Sequence, residues 1–128
     1  MAQSQEKPAM ATAPRLSLRI ELPGGARIGP GKVRLLEEIR DRGSISAAGR
    51  ALRMSYRRAW ELADELSRQL GRPVMEAAPG GAGGGGARLT PLGEAVIARY
   101  RAIEREAEQA AAPHLAALCR ALEEAPGG

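Results

Sequence analysis

The chain has 128 residues, 44% of them apolar, enough for one domain with a modest core and too many for a chain without a fold. No apolar run reaches the roughly 18 residues of a membrane span, and residues 1–15 lack the continuous apolar segment of a secretory leader. The net charge is +4, and the single cysteine, Cys119, admits no internal disulfide, so a cytoplasmic, non-membrane protein is expected.

Residues 1–14 are small and polar with two prolines, and a disordered tail is expected there. From Leu16 to Leu22, leucine and isoleucine alternate with Ser17, Arg19 and Glu21, the period-two pattern of a half-buried strand that Pro23 ends. Ile28 to Gly31 reads as a turn. A helix is expected from about Lys32 to Arg42, with Val33, Leu36 and Ile39 at helical spacing and Gly43 as its stop.

A short helix is expected from Ala47 to about Leu52, with Ser46 as its N-cap and Ala47, Ala48 and Ala51 keeping one face small. Arg53 to Ser55 is the turn, with Met54 pointing inward. Ser55 caps a third helix, from about Tyr56 to Leu70, whose apolar stripe is Ala59, Leu62, Ala63, Leu66 and Leu70. Gly71 and Pro73 end it.

Val74–Ala77 and Ala87–Thr90 are strand candidates flanking a glycine-rich loop, which predicts a hairpin with a pliant tip. Thr90 caps a long final helix with Pro91 in its first turn, a favoured place for proline. Pro113 is expected to break that helix and leave a last amphipathic segment from His114 to Leu122. The fold class is therefore mainly α with a small β-hairpin: a winged helix-turn-helix plus a C-terminal dimerisation helix. The expected boundaries are a tail at 1–14, a winged helix-turn-helix domain at 15–90, a helical dimerisation segment at 91–124 and a tail at 125–128.

Charge and motif converge on the middle of the chain. Residues 1–90 carry 15 basic and 9 acidic groups, and residues 91–128 carry 4 and 6, so an anionic partner is expected on the first part. The only aromatics are Tyr56, Trp60 and Tyr100, too few for the base-stacking platforms of single-strand and RNA binders; duplex DNA is the better match. The second helix of a helix-turn-helix places its first residues against base edges in the major groove, here Ser55, Tyr56, Arg57 and Arg58. Adjacent arginines project about 100° apart, so one can pair with guanine while the other holds phosphate. The plain alternative is that both are solvated surface charges. Ser44 and Ser46, at the start of the preceding helix, are candidates for holding phosphate. Arg88, beside the glycine loop, is a candidate backbone contact, and Trp60 fits core or rim better than a base contact. The glycines themselves serve either close approach to DNA or flexibility alone.

Motifs with other meanings are set aside. Gly81–Gly86 formally matches a dinucleotide fingerprint but precedes a strand instead of opening a helix. Gly25–Lys32 is one residue too long for a phosphate loop and is followed by Val33. His114 and Cys119 supply only two ligands, so no metal site, no cofactor and no catalytic residue is expected.

The runs Gly43–Ala48, Ser55–Trp60 and Gly80–Thr90 resemble, in this order, the N-terminal domain of ModE-type molybdate-responsive regulators, over about residues 16–110. The helix-turn-helix is also similar to that of LysR-type regulators, but the glycine-rich wing favours the ModE type. The resemblance implies a winged-helix homodimer on double-stranded DNA with a palindromic operator, and transcriptional regulation. ModE regulators also carry C-terminal molybdate-binding domains; nothing after Ala112 has the strand pattern for one. The expectation is thus DNA reading without a small-molecule effector bound by this chain alone. The alternative is a protein-interaction module that heterodimerises with a full-length regulator.

Overall fold

The computed structural model describes residues 13–80 and 85–125. The elements in order are β1 (Ile20–Glu21), β2 (Arg27–Ile28), α1 (Pro30–Arg42), α2 (Ile45–Ala51), α3 (Tyr56–Leu70), β3 (Met75–Ala78), β4 (Gly86–Leu89) and α4 (Pro91–Glu124). The described residues fall into two compact units, one within Ser17–Ile103 and a second made of residues 13–16 with 104–125. Most of the expected tail (1–12), the wing tip (81–84) and the last residues (126–128) lie outside the described residues.

In the unit Ser17–Ile103, Leu18 and Ile20 are half-buried between exposed neighbours, as the alternation predicts. The ladder is shorter than expected. Only Ile20 and Glu21 pair, antiparallel, with Ile28 and Arg27. Ile28 is therefore a strand residue and not part of a turn. The helix after it opens at Pro30, two residues earlier than the sequence suggests. A proline in the first helical turn lacks an N–H that would have no partner in any case, so the ring costs nothing there. Gly43 closes α1 in the left-handed region at φ 77° and donates its N–H to Ile39 O.

The N-cap of α2 is Ser44 and not Ser46. The Ser44 backbone is extended, and its hydroxyl accepts a 3.0 Å bond from Ala47 N. Ile45 enters the core as the first helical residue, which moves the start of the helix forward. Ala47, Ala48 and Gly49 form the buried small face, whereas Ala51 is exposed. The turn to α3 places Arg53 at φ 61° and half-buries Met54 against the core.

The Tyr56–Leu70 span of α3 agrees with the sequence reading, and its caps explain why. Ser55 Oγ accepts from Arg58 N at 3.0 Å, and Gly71 stops the helix at φ 81°. Ala59, Ala63 and Leu66 are buried in the same core cluster as Val33, Leu36 and Ile39 of α1 and Ala48 of α2, with Leu62 and Leu70 at the margin. Two hydroxyls then fix the hairpin. Ser67 Oγ donates to Ala63 O (3.1 Å) and accepts from Val74 N (3.0 Å), which ties the start of the wing to α3. Thr90 Oγ1 donates to Pro73 O (2.7 Å) and accepts from Gly93 N (3.2 Å), which ties its end to α4. Between them β3 and β4 pair antiparallel, Glu76 opposite Arg88 and Ala77 opposite Ala87. Ala87 N also bonds Gly43 O at 2.9 Å, so the hairpin is anchored to the α1–α2 junction.

The first turns of α4 close the core with Val96, Ile97 and Tyr100, whose hydroxyl donates to Leu18 O at 2.7 Å. The next residue, Arg101, grips Glu37 of α1 through two bonds of 2.9 Å. The hydrogen bonds from the Arg101 guanidinium hold the Glu37 carboxyl below its ordinary value of 4.5, against the opposing pull of partial burial. A carboxylate with a depressed folded pKa contributes stability that is complete above its unfolded value and lost as pH falls through the folded one. Wild type is therefore expected to be more stable than Glu37→Gln at pH 7. That difference should shrink below about pH 4.5 and vanish in strong acid, when denaturant midpoints are compared across pH.

In the second unit the same helix runs through Pro113 without a break, contrary to the expectation of a separate last segment. Proline removes one backbone bond and crowds the carbonyl four residues back, but the surrounding turns of a 34-residue helix are already nucleated and carry it through. Beside residues 13–15, Leu115, Ala116 and Cys119 line a shallow, mostly apolar hollow.

Candidate nucleic-acid interface

The start of α3 is the most exposed part of the helical core. Ser55, Tyr56, Arg57 and Arg58 are all exposed in consecutive positions, with Trp60 and Glu61 following. The cap bond from Ser55 sets the direction of this turn. Helical phase then sorts its side chains, at about 100° per residue around the buried stripe of Ala59, Ala63 and Leu66. Arg57, Glu61, Asp64 and Arg68 lie opposite that stripe. Tyr56, Trp60 and Ser67 lie on the flank facing the hairpin. Arg58 lies on the other flank.

The charges on the outward face are paired along the helix. Asp64 accepts from Arg68 Nε at 2.9 Å, while Arg57 and Glu61 stand 3.7 Å apart. Arg57 keeps 84% of its side-chain surface in solvent. On the hairpin flank a groove of about 440 Å³ opens between α3 and β3–β4, lined by Tyr56, Trp60, Glu76 and Ala87 among others. Trp60 is 43% exposed, a rim position. Arg88 is exposed on β4 and bonds Glu76 across the ladder at 2.9 Å.

The serines of the preceding helix behave differently from one another. Ser44 is fully buried, with its hydroxyl committed to the cap, so its side chain supports the fold and offers nothing to a phosphate. Ser46 is half-buried in the first turn of α2. Residues that the sequence reading passed over are Arg50 and Arg53, both exposed at the turn before α3, and Glu61. The signal for Glu61 was present in the sequence, since it stands four residues after Arg57 and therefore on the same helical face. Among the described residues no group of three or more histidine, cysteine or acidic side chains is arranged to hold a metal. No helix of the described residues is long and apolar enough to cross a membrane.

No family model matches the chain. It is 52% identical over 80 residues to the molybdenum-pterin-binding protein MopB of Rhodobacter capsulatus, covering 62% of this chain and 30% of MopB. It is 35% identical over 119 residues to the molybdenum transport protein ModE of Azotobacter vinelandii, covering 91% of this chain and 43% of that protein. The chain is a homologue of the ModE-type regulators. Another ModE relative, the transcriptional regulator of Haemophilus influenzae, is 38% identical over 93 residues, covering 73% of this chain and 36% of the regulator. The chain thus spans less than half the length of these ModE and MopB relatives. They are regulators, transport and binding proteins and not enzymes, in agreement with the sequence reading. Among solved structures, the CbnR_DBD–DNA complex superposes with a TM-score of 0.55 at 22% identity, covering 69% of this chain and 95% of that one. At that identity the likeness speaks for the fold alone: a winged helix-turn-helix, in which α2 and α3 are the helix pair and β3–β4 the wing.

Proposed function

We propose that this ModE-type homologue is a transcriptional regulator that reads double-stranded DNA with the first turns of α3, as a homodimer on an imperfect palindrome. The observation that carries the reading is the exposed run Ser55, Tyr56, Arg57 and Arg58 at the head of the second helix of a winged helix-turn-helix. In this fold that position enters the major groove, where an arginine can pair bidentately with guanine. Arg88 at the wing, and Ser46, Arg50 and Arg53 before α3, are assigned to the phosphate backbone. A two-fold pair would set its reading helices one DNA turn apart, roughly 34–36 Å. The exposed apolar residues Ile103, Leu118 and Leu122 of α4 support a dimer seam along that helix. The proposal places the protein in the cytoplasm and assigns no oxyanion or other effector site to these residues.

The test is selection of bound duplexes from a random pool, with and without molybdate and tungstate. Enrichment of one two-fold site, unchanged by either oxyanion, is expected. Affinity, followed through Trp60 fluorescence, should fall steeply with salt, by nearly one log unit per log unit of salt for each phosphate contacted. A salt-insensitive affinity, or a pool that never enriches, would sink the DNA reading and favour heterodimerisation with another regulator.

A further inference from the structure

Carboxylates are out of place on a surface meant for phosphate. Each one adds repulsion from the DNA backbone, and a helix that served only to grip would carry lysine or arginine there. Yet the outward face of α3 carries two, Asp64 and Glu61, both directed away from the core. Asp64 is accounted for by its 2.9 Å bond from Arg68 and is the less exposed of the two, at 34%. Glu61 is not accounted for in that way. Its nearest cation, Arg57, stands at 3.7 Å, beyond hydrogen-bond reach, and 47% of its side chain is in solvent.

We propose that Glu61 is a sequence-discriminating residue of the interface, accepting a hydrogen bond from the N4 amino group of a cytosine next to the guanine taken by Arg57. The inference rests on the DNA-reading function proposed above. The chemistry of the major groove selects the base. An ionised carboxylate only accepts, and guanine presents two acceptors there, N7 and O6. Thymine presents an acceptor and a methyl group. Adenine has a donor at N6, but its N7 acceptor lies alongside and repels the second carboxylate oxygen. Cytosine offers the amino donor, and its major-groove edge carries no acceptor. Glu61 sits one helical turn beyond Arg57 on the same face, so both can reach neighbouring positions in the groove. Its cost is paid on every wrong sequence, where the carboxylate loses solvent and gains no donor; this is discrimination by penalty as much as by contact.

The experiment selects bound duplexes from a random pool with wild type, Glu61→Gln and Glu61→Ala. Affinity for an unrelated duplex is measured alongside. Both variants keep a helix-favouring residue at an exposed position, and thermal denaturation verifies their folding. With wild type, one position of each half-site should be cytosine, preferred about tenfold over other bases. Glutamine, which pairs bidentately with adenine, should move that preference to adenine. Alanine should erase it, while affinity for the unrelated duplex rises several-fold through loss of a negative charge. If wild type selects a site and both variants select the same one, Glu61 does not read a base, and the DNA-reading function stands without it. If the variants alter only the guanine position, Glu61 acts by positioning Arg57, and the base-reading proposal falls. If wild type itself selects nothing, both this proposal and the function beneath it fall together.

Discussion

Replacing Gly93 by alanine is expected to destabilise the unit Ser17–Ile103 by about 2 to 3 kcal/mol, although alanine is the better helix former. Two effects of opposite sign meet at this residue. In an open helix the substitution gains up to about 1 kcal/mol. Here the added methyl would run into the carbonyl oxygen of Val74 and approach Leu89 Cβ at 3.2 Å. Neither neighbour has room to move. Val74 is fully buried, its carbonyl accepts from Thr90 N at 3.0 Å, and its N–H is held by Ser67. The methyl therefore has to push α4 away from the hairpin, which weakens the 3.2 Å cap bond from Gly93 N to Thr90 and loosens the packing of Val96 and Tyr100. A fall in melting temperature on the order of 10 °C should follow. Gly31→Ala is the control. It lies in the first turn of α1 with nothing within 4 Å of the new methyl, so its effect should be neutral or a gain of up to about 1 kcal/mol. A Gly93→Ala protein as stable as wild type in urea titration would show that hairpin and helix are not locked in this way.

That junction also shows how far the sequence could be read. Where a boundary is set by local chemistry, the reading matches the structure. Ser55 and Gly71 bracket α3, and Thr90 followed by Pro91 opens α4, because a side-chain oxygen or a left-handed glycine satisfies the helix end within a few residues. Where a boundary depends on a distant partner, the reading drifts. Leu16–Leu22 alternates correctly, but the length of the ladder is set by Ile28, which local pattern placed in a turn. Two serines compete to cap α2, and Ser44 wins because Ile45 is needed in the core. Pro113 looked like a stop because its effect is local, whereas the helix is sustained by turns on both sides.

The candidate interface follows the same division. The exposed position of Ser55, Tyr56, Arg57 and Arg58 at the head of α3 was legible because the position after a helix-turn-helix turn is defined by sequence order; their contact with DNA belongs to the proposed function. Ser44 was misjudged because its burial comes from the α1–α2 junction and from strand β4, which bridges to it through Gly86. The Arg88–Glu76 pair became apparent only once the hairpin register was known.

Arg57→Ala and Arg58→Ala should both weaken DNA binding, but in different ways. Arg57 lies opposite the buried stripe of α3 and points into whatever the helix docks against. Its existing partner does not hold it back. The Arg57–Glu61 pair is 3.7 Å long and exposed on both sides, and such surface pairs contribute at most about 1 kcal/mol. A bidentate guanine contact discriminates by about 1–3 kcal/mol, so the arginine gains by giving up the first for the second. Its loss should flatten the preference at one base position by roughly 5- to 150-fold, while binding to unrelated duplexes falls much less. Arg58 is turned about 100° from Arg57, toward the flank away from the hairpin, where under the proposed docking the groove wall and its phosphates would stand. Removing it should weaken binding to all sequences alike and lower the salt slope by about 1. Arg88→Ala should behave like Arg58→Ala but more weakly, because Arg88 already shares its charge with Glu76 at 2.9 Å. Selected sites and salt titrations for the three variants separate these outcomes. If Arg58→Ala changes base preference and Arg57→Ala does not, α3 lies in the groove rotated from the orientation its buried face implies.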